Sequence, residues 1–139
     1  MDIADVKRRV HAAIERAKQR DAERRARVDE AARAYSTFLD TVAIPLFRQV
    51  ANVLRSEGHL FTVFTPSGSV KLASDRRAED SIAVVLDTSG DVPLVVGHSS
   101  RMRGRRVIEA ERPIGSPASL GETEVLEFLM TELEDSLSR

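Results

Sequence analysis

Arg101-Met102-Arg103-Gly104-Arg105-Arg106 packs four arginines into six residues, the densest run of arginine in the sequence. A guanidinium offers a planar fork of donors matched to phosphate and carboxylate oxygens. One use of Arg101, Arg103, Arg105 and Arg106 is therefore to grip an anion, nucleic-acid phosphate included, or a partner's acidic surface. A second is to guard an exposed sheet edge, where charge blocks unwanted strand pairing. A third is to dock the acidic helix that ends the chain, in the same molecule or another. Glu109 and Glu111 follow at once and dilute the local positive charge.

The remaining reactive groups form no convincing catalytic pattern. His11, His59 and His98 are the only histidines, and they fall in three separate elements without helical ligand spacing. His98 is followed by Ser99 and Ser100, but a triad is defined by spatial geometry, not by adjacency in sequence. Asp87 and Asp91 flank one turn, and Asp75, Glu79 and Asp80 fill another. Paired carboxylates can hold Mg²⁺ or move protons. Asp beside Thr, Ser and Gly is also ordinary turn chemistry, in which the side chain bonds nearby backbone. The glycines are isolated, so neither a phosphate-binding loop nor a dinucleotide fingerprint is present. Cysteine is absent, which removes disulfides, thiolate metal sites and thiol catalysis. No cofactor is expected, and an enzymatic role is the less favoured reading.

The elements that must position these groups follow from periodicity. Residues 3 to about 57 read as helix, rich in Ala, Arg, Glu and Lys, with no Gly before Gly58 and one Pro, Pro45. Ile3, Val6, Val10, Ala13 and Ala17 share one face, Val28, Ala31, Tyr35, Phe38 and Val42 form a second stripe, and Leu46, Val50 and Val53 a third. From Lys18 to Arg27, seven of ten residues are charged, so that stretch is solvated. A straight helix of this extent would be roughly 80 Å long, against a radius of gyration near 14 Å for a compact chain of this size, by the ~2.2·N^0.38 Å scaling. It must fold back or project, and the pattern favours a projecting arm kinked near Pro45.

After Gly58 the period changes to two. Strands are expected over 59–65, 69–74, 81–87 and 92–98, with a weaker fifth strand over 105–112 at an edge. Short connections make this an antiparallel meander. Residues 81–87 are apolar on both faces and should lie centrally. A last helix from about Gly121 to Leu137 should lay Leu126, Leu129, Leu133 and Leu137 on the sheet, with Val125, Phe128 and Met130 beside them. Ser119 with Glu122, or Gly121 with Glu124, can supply its cap. The fold class is thus α+β: a charged arm over residues 1–34 as a coiled-coil or dimerisation element, and one α+β domain over 35–139.

Composition narrows the function classes. Charged residues make up 31% and aromatics 4%, with no Trp, which argues against base-stacking or sugar-binding platforms. The net charge of −1 divides into +3 over residues 1–34 and −4 over the remainder. There is no overall electrostatic pull toward polyanions. The opening residues lack the layout of a signal peptide, no apolar run approaches the ~18 residues of a membrane span, and cytoplasmic placement is the default. The leading expectation is a non-enzymatic, homodimeric interaction module, adaptor or chaperone-like, whose partners are a second copy through Ile3, Val6, Val10 and Ala17 and an unidentified protein. The alternative is a nucleic-acid-associated protein using the arm and the Arg101–Arg106 segment.

Overall fold

Asp2 starts the first helix by accepting a hydrogen bond from the Ala4 amide at 3.2 Å, which satisfies one of the free N–H groups every helix start leaves. The computed structural model describes residues 1–138 and carries helix α1 over Ile3–Phe38, a π-helical turn over Leu39–Ala43, and helix α2 over Ile44–Ser56. These run on without a loop. The irregularity expected near Pro45 is thus the π turn immediately before it, where the Ile44 amide reaches back to the Leu39 carbonyl. Pro45 sits in the first turn of α2, where its missing N–H is tolerated. The turn also serves packing. Tyr35, Leu39, Ala43 and Phe47 are each four residues apart and all buried. In a regular α-helix each step of four overshoots the face by about 40°, and the wider π turn absorbs that drift.

Gly58 closes α2. The His59 amide bonds the Leu54 carbonyl at 2.8 Å and the Gly58 amide bonds the Arg55 carbonyl at 3.1 Å, which pairs the helix's last carbonyls.

Five antiparallel strands follow in sequence order: β1 (Phe61–Phe64), β2 (Ser69–Ser74), β3 (Ser81–Asp87), β4 (Leu94–Arg103) and β5 (Arg106–Gly115). The bounds of β2 and β3 match the period-two reading, and β3 is central. The β4–β5 hairpin is longer than the sequence suggests. Strand β4 begins at Leu94 rather than Val92 and runs past His98 to Arg103, and β5 continues beyond the expected end at 112 through Pro113 to Gly115. The cause is Gly104. Its φ of +62°, with Arg105 at negative φ, makes Gly104-Arg105 a two-residue hairpin turn of type II′. As the edge strand, β5 tolerates the proline's missing donor.

Helix α3 (Glu122–Leu137) closes the fold. Of the two cap pairs considered, the second forms: the Gly121 amide donates to Glu124 Oε2 at 3.0 Å. Helices α2 and α3 lie on one face of the sheet, α2 against β1 and β2, α3 against β4 and β5. The core between them holds Phe47, Val70, Leu72, Val84, Val95, Val125 and Leu129, all fully enclosed. Phe61 is buried with them and Leu86 partly so. Tyr35 ties the long helix to the sheet: its hydroxyl donates to the Gly68 carbonyl at 2.7 Å and lies 3.3 Å from the Val84 carbonyl. Burial pushes its phenol pKa up to about 12.

Candidate functional site

The arginine segment forms the tip of the β4–β5 hairpin, and its members part company. Arg101 pairs with Ile108 across the strands and turns to the helix-bearing face, where its Nη1 lies 3.2 Å from Asp135 Oδ2 of α3. Arg112, further down β5, makes the analogous approach to Glu132 at 3.7 Å and sets its guanidinium 5.3 Å from the centroid of the Phe128 ring. Of the segment itself, Arg101 thus meets the chain's own acidic helix, and Arg112, outside the segment, does so from further along β5. Arg103, Arg105 and Arg106 remain exposed around the turn. The backbone beneath them is braced by Asp80, which is 4% exposed and accepts from the Met102 amide at 3.0 Å. That side-chain bond lies just beyond the last β3–β4 pair, Ser81 with Ser100.

The arm lies at the other end of the sheet. Arg24 Nη2 donates to the Thr88 carbonyl in the β3–β4 turn at 3.3 Å, whereas the arginine tip lies beyond the far end of β4. Ten residues of strand separate the two ends, about 33 Å at the usual rise. The two basic segments therefore do not form one continuous surface. Within the arm Ile3, Val6, Val10 and Ala17 are all exposed, Ile3 to 83%. Ile14, not singled out from the sequence, is exposed beside them. It follows Val10 by four residues, and that spacing was the available signal.

A second feature escaped the sequence reading. Leu126, Met130 and Leu137 were expected on the sheet; each is about two-fifths exposed, while Val125, Phe128, Leu129 and Leu133 take the buried positions. The apolar arc of α3 is wider than the sheet can cover. Its excess joins Leu46, Val50, Val53 and Leu54 of α2 to line an open groove of about 540 Å³ between the two helices. Glu134 and Gln49 stand on its rim.

The opposite, helix-free face of the sheet carries polar side chains. Lys71, Ala83, His98 and Glu111 form one cross-strand row, and His98 Nε2 lies 3.0 Å from Glu111 Oε1. With Ser81, Ser100 and Glu109 they border a shallow hollow of about 470 Å³. His11 lies on the exposed arm and His59 in the α2–β1 connection, so the histidines do not converge. Asp87 behaves as turn chemistry requires: the Ser89 hydroxyl donates to its carboxylate at 2.6 Å and the Ser89 amide at 2.9 Å. These bonds, with a smaller contribution from His98, hold its carboxyl below the usual carboxylate range. Among the described residues, no group of three His, Cys, Asp or Glu is placed to hold a metal ion, and no helix is long and apolar enough to cross a membrane.

Comparison with models of protein families, with curated proteins and with solved structures returned no match.

Proposed function

We propose that this chain is a non-enzymatic, homodimeric protein-interaction module, adaptor or chaperone-like, in which the N-terminal arm drives assembly and the body is left free to hold a protein partner. One observation carries the reading: Ile3, Val6, Val10 and Ile14 expose a continuous apolar stripe on a helix that has no loop to fold back on. Isolated helices are marginal in water, and an apolar face at spacings of three and four is what a partner helix or groove buries. Charge around the rest of the helix, from Lys7, Arg8, Arg9, Arg16 and Lys18, keeps such a helix dispersed until it docks.

The test is the mass in solution. Light scattering at tens of micromolar should give a dimer for the whole chain and a monomer for a chain lacking residues 1–16, a deletion that removes none of the buried core. A monomeric whole chain overturns the proposal.

A further inference from the structure

Among the described residues, the helices leave two apolar surfaces uncovered, and they match. One is the arm stripe from Ile3 to Ile14. The other is the groove between α2 and α3. From Ile3 to Ile14 the stripe spans twelve residues, and so does the α3 wall of the groove from Leu126 to Leu137. Each is about 16 Å of helix. The groove is a concave apolar channel between two helices, the usual receptor for an amphipathic helix read at i, i+3 and i+7.

Charge agrees with shape. Residues 3–18 of the arm carry net +3. The groove walls α2 and α3 together carry net −4, with Glu134 on the rim. The arm cannot reach the groove of its own molecule. Forty residues of unbroken helix separate Val10 from Val50, about 60 Å, and no loop permits a return.

We infer that the α2–α3 groove receives the N-terminal arm of a second copy of this chain, with each copy's arm in the other's groove across a two-fold axis. This rests on the self-association proposed above and specifies its geometry. The long helices of the two copies run antiparallel, so that residues near 10 in one lie beside residues near 50 in the other. The two apolar stripes then occupy opposite ends of the assembly and do not touch. The arrangement buries both uncovered surfaces twice in one closed dimer, as an isologous interface requires.

The experiment compares the full chain with two variants by light scattering at tens of micromolar, with circular dichroism as a check on folding. The arm variant is Val6→Glu with Val10→Glu. The groove variant is Val53→Glu with Met130→Glu, at positions 61% and 40% exposed. Dimeric parent and monomeric variants are expected, and mixing the two variants should restore dimer, because one supplies an intact groove and the other an intact arm. A groove variant that stays dimeric while the arm variant dissociates overturns the groove assignment and leaves self-association standing. A monomeric parent overturns both. Val10→Cys gives a readout independent of groove folding, since the chain has no other cysteine. Oxidation should leave it uncross-linked; efficient formation of a disulfide-linked dimer would mean that arm pairs with arm and would refute the groove.

Discussion

Gly97 lies in β4 directly beneath α3, and Phe128 fills the place where any other residue would put a side chain. A Cβ built on Gly97 would stand 2.2 Å from Phe128 Cζ and 2.3 Å from Cε1. Carbon atoms pack at about 3.5–4.0 Å, so Gly97→Ala requires the ring to retreat by more than an ångström. The ring tip is the far end of a side chain, but it has little room to go. Phe128 is 3% exposed, its helix neighbours Val125 and Leu129 are fully enclosed, and Arg112 lies over the ring. Overpacking of this kind costs about 1–3 kcal/mol. Urea denaturation should therefore show a lower midpoint for Gly97→Ala with an unchanged slope. Adding Phe128→Leu removes the offending ring atoms, so the double variant should be less destabilised than the sum of its parts, by a coupling of about 0.5–3 kcal/mol. A Gly97→Ala protein within about 0.5 kcal/mol of the parent, the ordinary range of surface changes, would refute the packing argument.

Leu129→Ala should cost about 2–5 kcal/mol, because the side chain is fully enclosed between α3 and the sheet; thermal or urea unfolding checks it. Asp87 should titrate below the ordinary carboxylate value of about 3.9. Since its folded-state pKa is depressed, its contribution to stability is present above that ordinary value and is lost as pH falls through the lowered one; an NMR midpoint at or above about 3.9 would contradict the Ser89 bonds as the cause. With Arg101 committed to Asp135, three tip arginines remain, and even full engagement would give a log–log salt slope of only about −2.7. No binding to duplex DNA is expected at physiological salt, and a micromolar affinity by fluorescence anisotropy would overturn that.

Period and turn chemistry made the sheet legible. Alternation in residues 69–74 and the apolar run of residues 81–87 locate β2 and β3 at their observed bounds. The hairpin tip was harder to see, because Arg-rich sequence looks like a loop until Gly104 is recognised as the hinge of a II′ turn. The π turn had no local signal beyond Pro45 and a spacing of four among Tyr35, Leu39, Ala43 and Phe47. The groove was illegible for a different reason. Leu126, Met130 and Leu137 satisfy a helix-face pattern as well as Leu129 and Leu133 do, and only the width of the sheet determines which of them stay uncovered. Most of the arm stripe, by contrast, was plain in sequence, because Ile3, Val6 and Val10 recur at spacings of three and four among charged residues and alanines; Ile14 extends it by one more step of four.

The π turn also makes the long helix a pointer with one end in a vise. The clamp is built from Tyr35, Phe38, Leu39, Ala43 and Phe47, all buried. Everything from Ala34 back to Ile3 extends from it, about 47 Å of rod, touched on the way where Arg24 meets the Thr88 carbonyl. A tilt of only about 5° at the clamp swings the free end by about 4 Å. Small repacking around residues 39–43 is thereby magnified into a large change in where the arm aims. The second grip, from the Tyr35 hydroxyl to the Gly68 carbonyl, sits close to the pivot and damps that swing where it starts. A Tyr35→Phe protein would keep its core ring and lose that grip, so the aim of the arm should loosen.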